Sequence, residues 1–301
     1  MAARQFRLLL LGELLFYVLC GSLLVSRAGW TPPQAAGLGL ALFFGIRLCI
    51  VLLTFAIMQA GSSEVPEPLR IGPLQAARMV LEEYLALIVL FGVIQPFESF
   101  WLGRDRLAHC AARRVPLLLI HGYQCNRGFW FWLRPGLEAA GWTVATHSME
   151  PVFADIDNYA EGIARRIEEV LAATGASQVI LVGHSMGGLA SRAYLRRHGA
   201  GKVARLITLG TPHQGTLLAR LGLGPNARQM RIGSAWLNAL AAALPPASVS
   251  IFSYHDNYVF PQEAGAHLEG ATHVAIGGVG HIGMAVSPQV LERLKGALES
   301  P

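Results

Sequence analysis

The chain has 301 residues, of which 53% are hydrophobic and 14% charged, and its formal net charge is +5. This composition excludes a disordered chain, which needs low hydrophobicity and high charge, and four cysteines are too few for a disulfide scaffold. Soluble domains carry about 25% charged residues, so the low charged fraction indicates a membrane-associated part. The basic surplus is small and forms no stripe interleaved with aromatic residues, so we expect no nucleic-acid partner.

Two apolar segments near the start of the chain are long enough to cross a membrane. Residues 8–25 contain a single charge, Glu13, and residues 35–60 contain a single charge, Arg47. A helix needs about 20 apolar residues to span the hydrocarbon core, and an isolated arginine is tolerated where it faces a neighbouring helix. Both segments are therefore predicted to be transmembrane helices.

A third apolar segment, residues 79–101, gives a weaker signal. Its uninterrupted apolar run, residues 84–94, is short and follows two glutamates. It is interpreted either as a third span or as a helix in the membrane interface, and the flanking arginines do not decide the side on which the rest of the chain lies. We predict two or three transmembrane helices in a membrane-anchoring region at 1–100, followed by a second domain at 101–301.

After residue 114 the pattern changes to short apolar runs that alternate with amphipathic helices. This alternation is typical of βαβ units and predicts an α/β domain with a mostly parallel sheet. A helix is predicted over residues 157–173, and a final helix begins at Ser287, a favourable N-cap followed by a first-turn proline. The six predicted strands are residues 117–120, 144–147, 179–182, 206–209, 249–253 and 273–276.

The strongest chemical signal follows the third predicted strand. The sequence VILVGHSMGG contains the G-x-S-x-G pattern, with Ser185 between Gly183 and Gly187. Glycines at these positions allow a sharp turn from strand to helix that leaves the serine hydroxyl exposed at the end of the sheet. We therefore predict that Ser185 is a nucleophile; the alternative is an ordinary tight turn.

A serine nucleophile requires an acid that orients its base, and Asp256 is the candidate. The chain contains four aspartates, and Asp256 is the one that follows Ser185, at the end of an apolar strand. The alternative for Asp256 is a turn-forming role, which is common for aspartate. Glu263 and Glu269 are the fallback acids.

The base should be a histidine that follows the acid in the chain, which leaves three candidates. His281 is favoured, because it lies between the glycine-rich loop after the last strand and the final helix, where it can reach Ser185. His273 opens a strand and is interpreted as a packing or hydrogen-bonding residue. His267 lies in a loop with no visible partner.

Two backbone N–H groups should stabilise the oxyanion. One is expected from Met186, the residue after the nucleophile, and the other from the loop after the first strand, where Tyr123 is the candidate and Gln124 the substitute. Only the backbone groups are assigned this role.

These motifs together resemble the α/β-hydrolase superfamily, and within it the bacterial triacylglycerol lipases and carboxylesterases. The resemblance covers about residues 115–300. It implies a triad of Ser185, Asp256 and His281, oxyanion donors at Tyr123 and Met186, and ester hydrolysis without a cofactor. It also implies that the first two strands of the eight-stranded fold are absent. The motifs that carry it are IHGYQCNRGFW, VGHSMGGL, LGTPHQGT, HDNYV and GVGHIGM.

The prediction is therefore a membrane-anchored serine hydrolase that cleaves lipid or acyl esters, located in a bacterial inner membrane and in contact with membrane lipids. Two alternatives stay open: an acyltransferase with the same triad, and a non-enzymatic membrane partner that keeps a hydrolase-like binding domain. The apolar insert at 215–246 is either a lid or a helical cover for the sheet. His213 is expected to shape a loop, since no acidic cluster indicates a metal site. The oligomeric state stays open.

Overall fold

A six-stranded parallel sheet lies at the centre of the protein, in a computed structural model that describes residues 1–107, 114–240 and 244–300. The strand order is β2-β1-β3-β4-β5-β6, and every neighbouring pair is parallel. All six predicted strands are confirmed, with β3 and β4 longer than predicted. Their bounds are β1 (Leu117–Ile120), β2 (Val144–His147), β3 (Val179–His184), β4 (Val203–Leu209), β5 (Val249–Ser253) and β6 (Thr272–Ile276).

Ten α-helices of the described residues surround or precede the sheet, and the first three are the apolar segments. The third apolar helix, α3, continues through a π-helical turn and a short 3-10 turn to its end. The bounds are α1 (Ala2–Ala28), α2 (Pro32–Gln59), α3 (Pro73–Leu102), α4 (Leu133–Ala139), α5 (Asp157–Thr174), α6 (Met186–His198), α7 (Gly224–Gln229), α8 (Ala235–Asn238), α9 (Gln262–Ala266) and α10 (Pro288–Glu299).

The sheet separates two hydrophobic clusters. Successive side chains of a strand point to opposite faces, and accordingly Leu117 and Leu119 pack on one face while Leu118 and Ile120 pack on the other. Helix α10 and the middle of α3 cover the first face, and α5 and α6 cover the second. A two-sided core explains why the strands are continuous apolar runs rather than alternating ones.

The three apolar helices each have the length and composition needed to cross a membrane. The third is longer than predicted, because it begins at Pro73 rather than near Met79. Its start is a proline at the first helical position, and the Gln75 side chain accepts a hydrogen bond from the backbone N–H of Gly72 at 3.1 Å.

Helix α3 packs directly against the sheet-bearing part of the chain. Its Leu90 and Ile94 belong to the same buried cluster as the β1 side chains. Gln95 is fully buried, and both its side-chain and backbone oxygens accept hydrogen bonds from Asn126, each at 2.8 Å. The predicted border at residue 100 therefore separates two segments that share one hydrophobic core.

Helices α1 and α2 form an antiparallel pair that contacts the rest of the protein at one end. The buried residues of α2 all lie in its last third, from Val51 to Met58. The single charges of the two helices pair with each other: Arg47 Nη1 and Nη2 donate to Glu13 Oε1 and Oε2 at 2.7 and 2.5 Å. The Tyr17 hydroxyl donates to Glu13 Oε1 at 2.6 Å. Pairing of this kind lowers the cost of placing charges in an apolar environment.

Candidate active site

Ser185 lies at a sharp turn between β3 and α6. Its φ and ψ are 53° and −126°, a strained conformation that non-glycine residues rarely adopt. The flanking glycines are required by close backbone approach. A Cβ on Gly187 would lie 2.2 Å from the carbonyl oxygen of Ile120, and a Cβ on Gly183 would lie 2.5 Å from the backbone nitrogen of Gly188. The G-x-S-x-G sequence therefore has a steric reason in this fold.

His281 and Asp256 come from two different loops and meet each other, and His281 lines the same cavity as Ser185. His281 Nδ1 lies 2.7 Å from Asp256 Oδ2 and donates to it, and both side chains are buried. The other carboxylate oxygen of Asp256 accepts backbone hydrogen bonds from Tyr258 and Val259 at 2.8 and 2.7 Å. Burial lowers the pKa of His281, but the charge and hydrogen bond of Asp256 outweigh it, so this pKa lies above its usual value.

The loop that carries His281 is held by a carboxylate from α3. Glu83 is fully buried, and its Oε1 and Oε2 accept hydrogen bonds from the backbone N–H groups of Ile282 and Gly283 at 3.0 and 2.7 Å. A Cβ on Gly280 would lie 2.5 Å from Glu83 Oε2, so a glycine is needed there. Glu83 thus fixes the two residues that follow the histidine.

A second contact joins the same loop to α2. The backbone N–H of His281 donates to Asn257 Oδ1 at 3.0 Å, and Asn257 Nδ2 donates to Thr54 Oγ1 at 2.8 Å. The sequence analysis missed Glu83, Asn257 and Thr54. A carboxylate within an apolar helix was the available signal for Glu83, because such residues are rare and usually have a specific partner.

Ser185 and His281 line one cavity of about 680 Å³. Cavities of this size accept drug-sized ligands. Much of its wall comes from the insert after β4 and from the apolar helices. The lining residues include Leu218, Leu221 and Met230 from the insert, and Ile46, Ile50, Leu87, Phe91 and Gly92 from the helices.

The loop after β1 lies beside the serine. A Cβ on Gly122 would lie 2.8 Å from Ser185 Cβ, so the backbone passes directly over the nucleophile position. Tyr123 and Gln124 line the cavity, and Gln124 has a positive φ of 51°. Met186 is the first residue of α6, and the N-terminal end of a helix favours developing negative charge.

The insert after β4 is tied to this loop. The Tyr123 hydroxyl donates to the carbonyl of Leu223 at 2.8 Å and accepts from its backbone N–H at 3.0 Å. Tyr123 also contacts Phe153 edge to face, with ring centroids 5.9 Å apart. Residues 241–243 of the predicted insert lie outside the described residues. The described part covers the cavity above Ser185.

The remaining candidate residues have other surroundings. His273 Nε2 accepts a hydrogen bond from the backbone N–H of Leu268 at 3.0 Å, and its ring stacks on His267. His213 is buried, and its Nε2 lies 3.0 Å from Thr208 Oγ1. The fallback acids, residues 263 and 269, are exposed. Within the described ranges, the structure has no cluster of three or more His, Cys, Asp or Glu residues able to hold a metal ion.

Comparison with known proteins agrees with this architecture. Residues 115–231 match the family model of the α/β hydrolase fold. The chain therefore has the α/β-hydrolase fold. It is 35% identical to a triacylglycerol lipase of Pseudarthrobacter phenanthrenivorans over 117 residues, which are 36% of each chain. It therefore spans about a third of the length of that curated relative.

Two further proteins extend the comparison. A 1-acylglycerol-3-phosphate O-acyltransferase of Sus scrofa is 30% identical over 152 residues, 47% of this chain and 40% of that protein. The mature form of a Bacillus licheniformis lipase superposes with a TM-score of 0.56 at 19% identity, covering 64% of this chain and 96% of that one. The α/β-hydrolase fold of lipases and esterases, predicted from the motifs, is confirmed.

Proposed function

We propose that the protein is a serine hydrolase that cleaves carboxylic esters of lipids at a membrane. Residues 1–100 anchor it through the apolar helices, and residues 101–301 carry the chemistry. The single observation that supports this most is the shared cavity, onto which both the strained Ser185 and the Asp256-bound His281 open. The substrate-facing walls are apolar, which suits an acyl chain better than a polar substrate.

In the proposed reaction, these groups act in sequence. Ser185 Oγ attacks the ester carbonyl while His281 Nε2 takes its proton, and Asp256 holds the imidazole by accepting from Nδ1. The backbone N–H groups of Met186 and Tyr123 bind the oxyanion. His281 then gives the proton to the leaving alcohol, and a water molecule attacks the acyl-enzyme to release the acid and restore Ser185.

The test is the Ser185→Ala variant. We expect loss of p-nitrophenyl ester hydrolysis and of fluorophosphonate labelling, because both require the serine oxygen. Ser191→Ala is the matched control, since Ser191 is buried in the same helix and its hydroxyl donates to Gly187 within that helix at 2.8 Å. Unchanged hydrolysis in Ser185→Ala would remove Ser185 from the mechanism, whereas no hydrolysis and no labelling by the wild-type protein would favour a non-enzymatic binding role.

Acyl transfer is a second candidate function, favoured by the similarity to the Sus scrofa acyltransferase. In that reaction, an alcohol replaces water in the attack on the acyl-enzyme, and the same three side chains serve. A labelled lipid donor with added alcohols separates the two activities, since transfer gives a new labelled ester and hydrolysis gives the free acid.

A further inference from the structure

A second cavity lies between α1 and α2. Its volume is about 880 Å³, and nearly all of its lining side chains are aliphatic, aromatic or absent. We call this cavity the helix groove. It extends along the half of the helix pair that projects away from the sheet. The lining residues include Leu10, Leu14, Val18, Gly21 and Val25 of α1, and Ala35, Ala36, Gly39, Leu40 and Phe43 of α2.

The helix groove adjoins the catalytic cavity. Two residues, Glu13 and Gly92, line both. A Cβ on Gly92 would meet no heavy atom within 4 Å, so the space in front of this glycine is open. The two cavities therefore form a path from Ser185 to the exposed part of the helix pair.

The charged pair at this junction does not block the path to an apolar chain. Glu13 and Arg47 bind each other through two hydrogen bonds, and Arg47 Nη1 also donates to the carbonyl of Phe43 at 3.0 Å. Tyr17 donates to the same carboxylate. The pair is therefore neutral as a unit, and most of its polar atoms already have partners.

The length of the helix groove fits one acyl chain of a bilayer lipid. From Glu13 to Val25 the groove runs about 18 Å along α1, taking a rise of about 1.5 Å per residue. One leaflet contributes roughly 15 Å of hydrocarbon. The outer faces of the same helices are apolar and exposed, with Leu15 and Leu19 exposed by 58% and 61%, so this part of the protein is suited to lie among lipid chains.

We propose that the helix groove is the acyl-chain channel of the enzyme, and that a membrane lipid enters through it with its ester reaching Ser185 past Gly92. This inference rests on the proposed function. It makes the apolar helices part of the substrate site and makes Gly92 a specificity-determining residue, since its missing side chain leaves the passage open.

The test is a chain-length series with groove-filling variants. In Gly92→Leu, we expect the ratio of kcat/KM for a p-nitrophenyl hexadecanoate to that for the butanoate to fall by about tenfold or more, because a blocked apolar contact costs this much selectivity. Gly39→Leu, farther along the groove and without a clash, should lower the same ratio less. Gly12→Leu is the control, since its Cβ also meets no atom within 4 Å and Gly12 lines neither cavity.

A binding measurement separates this inference from the proposed chemistry. We expect a fluorescent long-chain fatty acid to bind Ser185→Ala as well as the wild type, and Gly92→Leu about tenfold more weakly. Equal chain-length ratios and equal binding in Gly92→Leu and Gly12→Leu would overturn the channel. The channel would also be overturned if Gly92→Leu changed the preference for the alcohol part of the ester and left the chain-length ratio unchanged. If the fluorophosphonate did not label Ser185 of the wild-type protein, the proposed function would be refuted. The fatty-acid binding measurement would still decide whether the helix groove is a channel.

Discussion

Replacing Glu83 by glutamine tests whether α3 positions His281, the proposed catalytic histidine. The glutamate accepts one backbone hydrogen bond on each oxygen, from Ile282 and Gly283. Glutamine keeps one acceptor but turns an NH₂ group towards the second N–H, which leaves that buried donor unpaired. A hydrogen bond to a charged group contributes about 1.5–3 kcal/mol, and an unpaired buried donor costs about 1–3 kcal/mol. We therefore expect the substitution to weaken the interaction that holds the His281 loop by about 2 kcal/mol.

The expected result is a fall in kcat of roughly 30-fold with little change in KM, if the full 2 kcal/mol appears in the barrier. The acidic limb of the pH–rate profile should also move to lower pH. Burial lowers the pKa of His281, Asp256 raises it most, and an ionised Glu83 raises it further, so the substitution lowers this pKa over the pH range in which Glu83 is ionised in the wild type. A purely structural role would not move the limb.

Steady-state ester hydrolysis in detergent micelles, from acidic to neutral pH, provides the measurement. Glu82→Gln is the matched control, because the neighbouring carboxylate is exposed and pairs with Arg78 at the surface. Wild-type kcat in Glu83→Gln would refute the reasoning. The reasoning would also be refuted if kcat of Glu83→Gln fell only in proportion to the loss of folded protein and the acidic limb of its pH–rate profile did not move.

Two further predictions concern pH. Asp256→Asn should lower kcat by on the order of 10⁴-fold and move the acidic limb to lower pH, since burial still lowers the pKa of His281 while the Asp256 charge, which raises it most, is removed; an unmoved limb in the residual rate would contradict this. Burial lowers the pKa of His121 to about 4, and its ring accepts from Met149 N–H and donates to the Gly122 carbonyl. Between pH 6.5 and 4, His121 binds a proton in the unfolded chain but not in the folded protein. The free energy of unfolding should therefore decrease by about 3 kcal/mol from this residue as the pH is lowered through that range. Equal pH slopes of thermal unfolding in wild type and His121→Gln would contradict it.

The parts of the structure that depend on local sequence could be predicted. The central strands β1 and β3 contain continuous apolar runs, and burial on both faces makes that pattern easy to recognise. The turn at Ser185 depends on glycines within two residues of it, so its motif is visible in the sequence. The chain order of acid and base then limits the choice to few residues, as with Asp256.

Contacts between distant segments could not be predicted in the same way. Glu83 and Gly283 are 200 positions apart, and Thr54 and Asn257 are 203 apart. Sequence patterns predict which face of a helix is apolar, but they do not say which loop meets its one polar residue. The start of α3 was missed for a different reason, because the proline and glutamine of its first turn are weak signals beside a long apolar run.

These distant contacts bear on what the apolar helices do. An anchor needs only length and hydrophobicity, and it could be exchanged for another span without effect on the attached domain. Helix α3 instead supplies acceptors to buried N–H groups of Asn126, Ile282 and Gly283 and covers one face of the sheet. Each N–H left unpaired by its removal would cost about 1–3 kcal/mol, and the exposed core would cost more. The sheet-bearing domain therefore depends on α3 for its own packing, and the loop that carries His281 is held by a helix with the length and composition of a membrane span.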